Sequence, residues 1–101
     1  MTEPTVTRWP DEVPPTSKLL ETKMQEEGLT PRWWSNGPGE VYAAHEHGYH
    51  KVLYCAKGSI MFATSAAEYE LTPGDRLDVP AGTAHSAVVG DNGVKCVEAE
   101  R

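Results

Sequence analysis

Gly39-Glu40-Val41-Tyr42-Ala43-Ala44-His45-Glu46-His47-Gly48-Tyr49-His50-Lys51-Val52-Leu53-Tyr54-Cys55-Ala56-Lys57-Gly58 holds three of the four histidines in the chain. Side chains alternate between faces along an extended strand, so His45 and His47, two positions apart, project from one face with imidazoles close enough to share a metal ion. Two ligands do not complete a site. The same parity places Tyr49 and Lys51 on the histidine face and His50 on the other. His50 joins the set only if a bulge after Gly48 shifts the register; otherwise it packs on the outer face, against the N-terminal arm or a partner subunit.

Downstream the pattern is one of short strands. Val41–His47, Lys51–Ala56, Ile60–Thr64, Glu68–Leu71, Arg76–Val79, Ala84–Val89 and Val94–Ala99 are rich in strand-forming residues. They are separated by Lys57-Gly58-Ser59, Thr72-Pro73-Gly74-Asp75, Pro80-Ala81-Gly82-Thr83 and Gly90-Asp91-Asn92-Gly93. Pro73-Gly74 suits the centre of a type II turn, where proline presets the first φ and glycine accepts the positive second one. Regularly spaced strands of this kind close into a barrel or a two-sheet jelly roll.

Upstream, Pro31–Asn36 reads as one more strand, carrying Trp33 and Trp34 and ending at the Asn36-Gly37-Pro38-Gly39 turn. Of the adjacent tryptophans, one should face the core and the other the pocket or a subunit contact. Residues 16–28 read as a short helix capped by Thr16 or Ser17, with Leu19, Leu20, Lys23, Met24 and Glu27 at helical spacing and Gly28 past its end. Met1–Pro15 carries four of the eight prolines and reads as an extended arm anchored by Val6 and Trp9.

With 101 residues and 39% hydrophobic content the chain has material for one domain with a real core. A net charge of -6 without a basic cluster argues against nucleic acid or an anionic membrane surface as partner. The sequence contains no apolar run of membrane-spanning length and its start does not read as a signal peptide, so a cytoplasmic location is expected. Cys55 and Cys96 lack metal-binding or redox spacing and are expected as buried, reduced thiols. Cys55 shares the parity of His47 and Lys51 and is a candidate for the deeper lumen.

His85, the fourth histidine, follows the Pro80 turn on a later strand, which supplies a third candidate ligand from a second element. With it the sequence resembles the cupin superfamily. The motif G-x5-H-x-H-x3,4-E-x6-G aligns from Gly39 through His45 and His47 to Gly58, and G-x5-P-x-G-x2-H-x3-N aligns from Gly74 through Pro80 and Gly82 to His85. The resemblance implies an all-β double-stranded β-helix, or jelly-roll barrel, at 30–101 behind the arm (1–15) and helix (16–28), one domain spanning 1–101. It also implies a lumen metal site at His45, His47 and His85, and a homodimer.

Two positions depart from the motif: Lys51 stands where the family usually has its glutamate ligand, and Val89 where it often has asparagine. Three neutral imidazoles suffice for a divalent Fe, Zn, Ni or Mn ion but leave its charge uncompensated, which favours a small anionic substrate. Lys51 can meet a substrate carboxylate at the rim, act as a general base if desolvated, or extend to the barrel mouth and do neither. Tyr49 is the second candidate catalytic residue, as a hydrogen-bond donor to ligand. Tyr42, Tyr54 and Met61 are expected as packing residues.

A three-histidine site without glutamate is similar to that of thiol dioxygenases, although Arg32, Arg76 and Arg101 have no motif that assigns them to a substrate carboxylate. The readings are therefore a metal-dependent dioxygenase or a lyase or isomerase, and, as the alternative, a ligand-binding or sensing module with or without metal. Fold alone does not choose between them.

Overall fold

The computed structural model describes residues 3–101. Its elements are β1 (Thr5–Thr7), α1 (Ser17–Glu26), β2 (Arg32–Asn36), β3 (Val41–His45), β4 (Lys51–Ala63), β5 (Glu68–Leu71), β6 (Arg76–Val79) and β7 (His85–Glu100). All strand pairs are antiparallel. The architecture is the all-β jelly roll that the spacing of strands and turns predicts.

Two long strands carry the fold. The first half of β4 pairs with β6 and its second half, from Ile60, with β5. β7 pairs along most of β4, with its first half also on β3 and its second half on β2. The order β1-β6-β4-β7-β2 thus forms one layer, and the other ends of β4 and β7 turn over to meet β5 and β3 in a second. The turn signals in the sequence predict a break in each long strand at its glycines. The ladder instead runs on through them, with register shifts between Cys55 and Lys57 and between Gly58 and Ile60.

Gly58 is where this turnover is tightest. It has φ +74°, and a Cβ there would lie 1.9 Å from the Gly93 carbonyl oxygen. Only glycine lets the two strands cross so closely. The shifts also reset the alternation. Leu53 and Cys55 point inward before the turnover, Ile60 and Phe62 after it; on β7, Ala87 and Val89 give way to Val94 and Cys96.

The Val52–Ala56 run is buried at every position because both of its faces are covered. Leu53 and Cys55 join the barrel interior, while Val52, Tyr54 and Ala56 lie under α1 with Leu20, Met24, Val97 and Ala99. Thr16 caps α1, its Oγ1 accepting from Leu19 N at 3.1 Å. The Met24 carbonyl accepts from Leu29 N at 3.0 Å, with Gly28 at φ +77° between them, closing the helix earlier than the expected 28. Cys55 and Cys96 are cross-strand partners and free, buried thiols.

The arm docks at the expected anchors. Val6 pairs with Leu77 and packs on the barrel core. Trp9 lies so close over Gly74 that a Cβ there would come within 2.4 Å of the ring. Asp75 fixes this junction, accepting from Trp9 N at 3.0 Å, Arg8 at 2.9 Å and Thr72 N at 3.0 Å. Burial alone would raise its pKa, but these donors outweigh it and hold the carboxyl below its ordinary value.

Candidate metal centre

β3 ends at His45, short of the expected His47. Its last turn contains a bulge: Tyr42 pairs with Ala87 and His45 with His85, three residues on β3 against two on β7. The extra residue lets Tyr42 and His45 face inward together despite their odd spacing. Tyr42, expected only as packing, therefore reaches the cavity, where its hydroxyl donates to Asn36 Oδ1. His47 lies beyond the strand in the connection to β4, where its carbonyl accepts from Gly82 N at 2.8 Å. The second motif's glycine thus holds the first motif's histidine.

The three rings converge. Centroids are 4.9 Å apart for His45 and His47, 4.5 Å for His45 and His85, and 5.4 Å for His47 and His85. One ligand atom from each lies within 4.8 Å of the others, so the cluster can hold a metal ion. His45 Nδ1 is 2.7 Å from the Ala43 carbonyl and His85 Nδ1 is 2.8 Å from that of Thr83. In each case only Nδ1–H can donate to a carbonyl, which leaves the Nε2 lone pair facing the cluster.

Nε2 of His47 and of His85 are both buried and have no hydrogen-bond partner among the described residues. An unpaired buried polar atom costs about 1–3 kcal/mol, and two such atoms on rings of one cluster suit an electrophile that pairs with both. Burial lowers the pKa of both rings. Lys51 and neighbouring imidazoles lower them further, against Glu98 for His47 and the Thr83 carbonyl for His85. Both are thereby held in the neutral, ligating form.

Lys51 enters the pocket. Its Nζ lies 3.0 Å from Glu98 Oε1, and the two side chains are only 12% and 16% exposed. The Trp34 indole donates to the same oxygen at 2.8 Å. Arg32 stands 3.8 Å from Oε2, beyond hydrogen-bond reach. Glu98 is the residue that sequence reasoning missed, although its signal was present: on the last strand it shares parity with inward-facing Val94 and Cys96. Trp34 is the tryptophan turned to the pocket; Trp33 packs with the α1 cluster.

Tyr49 does not line the cavity. It stacks on His47 with ring centroids 4.9 Å apart and planes at 30°, because the chain has left the strand after His45 and parity no longer extends to it. His50 is not brought to the cluster; its Nε2 is 3.0 Å from Asp78 Oδ1, and the bulge lies before His45 rather than after Gly48. Arg76 is likewise committed elsewhere, to Asp78 at 2.8 Å and Glu27 at 2.5 Å. The cavity has a volume of about 270 Å³, polar where the histidines, Lys51 and Glu98 meet and apolar along Trp34, Ile60, Phe62 and Ala87.

A family model described as a cupin domain matches residues 32–98. The chain belongs to the cupin superfamily. This cupin is 44% identical over 54 residues to the quercetin 2,3-dioxygenase of Bacillus subtilis (strain 168). That match takes in 52% of this chain but only 16% of the dioxygenase's length. Among solved structures it is similar to KdgF from Halomonas sp., with TM-score 0.59 and 26% identity over 72% of this chain and 69% of that one. It is also similar to the DMSP lyase DddQ from Ruegeria pomeroyi DSS-3, with TM-score 0.66 and 22% identity over 72% and 38% of the two chains. At that last identity the likeness concerns the fold.

Proposed function

We propose that this cupin binds one divalent transition metal through His45, His47 and His85 and acts on a small organic molecule held in the adjoining cavity. The observation that carries the reading is the pair of buried, unpartnered Nε2 atoms on His47 and His85. Neutral nitrogen ligands suit Fe, Zn, Ni or Mn, and a bound ion would supply Lewis acidity and open positions for an oxygen donor. A donor that gives up its proton on binding, as an enol or a diketone can, would offset the charge that three neutral imidazoles leave uncompensated.

The chain's own groups define what surrounds that donor. The Ala43 and Thr83 carbonyls orient two of the rings, and Tyr49 braces the third. Trp34, Phe62 and Ile60 keep water from the apolar end. Lys51 can donate to a bound oxygen while remaining within reach of Glu98, and general-base action would require it to leave that carboxylate. The reaction class we propose is dioxygenation, or a lyase or isomerase step; the first two carry the printed names of relatives, a dioxygenase and a lyase.

The alternative is a binding or sensing module without turnover, with or without metal. It is favoured by the Lys51–Glu98 pairing, which engages both of the cavity's charged side chains. Incubating metal-loaded protein with a panel of thiols, diketones, enols and small acids, while following oxygen uptake and substrate loss, separates the two. Turnover supports the enzyme; a ligand that binds with none supports the module.

A cytoplasmic homodimer completes the proposal. No helix among the described residues is long and apolar enough to cross a membrane. Val41 and Val88, cross-strand partners on the outer face, are 68% and 48% exposed and offer apolar surface for a second copy.

A further inference from the structure

The motif position that usually supplies a carboxylate supplies an ammonium here, yet a carboxylate is present. It comes from Glu98 on β7, two residues along the ladder from the Lys51–Glu100 pair, and it meets Lys51 inside the cavity rather than on the surface. Oε1 is held by its ion pair with Lys51 and by the hydrogen bond from the Trp34 indole, so the pair is fixed in place. Among the described residues Oε2 accepts no hydrogen bond, and Arg32 stands off at 3.8 Å.

These contacts set the charge that an entering molecule meets. An ammonium with no counter-ion would draw a carboxylate into the cavity. One already neutralised at 3.0 Å by a side chain only 16% exposed does not, and the fixed negative charge repels a second anion in a medium less polar than water. A hydroxyl finds an acceptor in Oε2, and a carbonyl finds a donor in Lys51.

We propose that Glu98 is the specificity-determining residue of this pocket. By occupying Lys51 it turns the cavity from carboxylates toward small molecules that enter uncharged and bear hydroxyl and carbonyl groups. The inference deepens the metal-site reading, since it names the ligand class that site would serve, but it rests on groups outside the metal ligands.

The test uses acetate and hydroxyacetone as probes of similar size, one anionic and one neutral, titrated into the full chain with and without Zn(II). The readout is the Trp34 indole NH resonance, which reports on Glu98 directly and needs neither activity nor metal. Glu98→Gln keeps the shape and the acceptor for Trp34 while removing the charge. It should tighten acetate by about tenfold or more and change hydroxyacetone by less than about threefold.

The double variant Lys51→Met/Glu98→Gln removes both charges. It should bring acetate back to within about threefold of the wild-type value, and it serves alone if the single variant does not fold. Acetate binding unchanged or weakened in Glu98→Gln, or weakened about tenfold relative to wild type in the double variant, would overturn the proposal. Failure of Zn(II) to bind would count against the metal reading alone, because the metal-free titration still decides the role of Glu98.

Discussion

His45 and His85 face each other as direct partners in the β3–β7 ladder, with ring centroids 4.5 Å apart. The bulge after Tyr42 makes that register, and the Ala43 and Thr83 carbonyls fix the rings within it. Replacing His85 with alanine should lower Zn(II) or Co(II) affinity by at least about a hundredfold, since a two-histidine remnant has lost both a ligand and its buried partner. Competition with a chromophoric chelator measures this.

His50 provides the matched control. It lies on the other face, 3.0 Å from Asp78, with a third of its side chain exposed. His50→Ala should leave metal affinity within about twofold and cost no more than about 1 kcal/mol of stability. A loss of metal comparable with that of His85→Ala would place His50 in the site.

Asp75 ties the arm to the barrel through Trp9 N, Arg8 and Thr72. Asp75→Ala leaves those donors unpaired at a buried junction and should cost about 2–4 kcal/mol in urea unfolding. It should also expose the arm to proteolysis, whereas Asp11→Ala, on the exposed stretch after Trp9, should do neither.

Acid should weaken the fold through the same carboxylates. Burial would raise Asp75 and Asp78, but hydrogen bonds from Thr72, Trp9 and Arg8 to the first, and from Arg76 and His50 to the second, bring both below their ordinary values. A depressed folded-state pKa gives stability that is complete above the unfolded value of about 3.9 and lost as pH falls through the folded one. The urea midpoint of the metal-free protein should decline gently as pH drops below about 6.5, where the fold keeps His47 and His85 from protonating as the unfolded chain does, and fall steeply below about pH 4. A flat profile down to pH 3 would contradict this account.

Gly58 and Gly48 separate structural glycine from permissive glycine. Gly58→Ala combines positive φ with a Cβ pressed on the Gly93 carbonyl and should cost at least about 2 kcal/mol, or roughly 10 °C in melting temperature. Gly48 has neither constraint, and alanine there should change stability by less than about 0.5 kcal/mol.

What could be read from the sequence follows from how local its causes are. Leu20 and Met24 announce a helix face, Pro73-Gly74 a turn, and the glycine, proline and histidine spacings the jelly roll and three converging rings. Parity placed Lys51 in the pocket and His50 outside it. Parity failed where the register is set by a partner strand: the β3 bulge brings in Tyr42, and departure from the strand after His45 takes Tyr49 behind His47. The breaks expected at Gly58 and Gly90–Gly93 proved to be bends within β4 and β7, because those glycines let paired strands pass close together rather than end. Glu98 escaped notice because its importance comes from Lys51, which is forty-seven residues away in sequence and 3.0 Å away in space.

The unpartnered Nε2 atoms of His47 and His85 are the proposed seat of a metal ion. Elemental analysis of protein purified without a histidine tag, before and after exposure to Fe(II), Zn(II), Ni(II) or Mn(II), tests it most directly. Close to one ion per chain is expected for at least one of these metals, retained through gel filtration and lost in His85→Ala. Less than about a tenth of an ion per chain with every metal offered would contradict it.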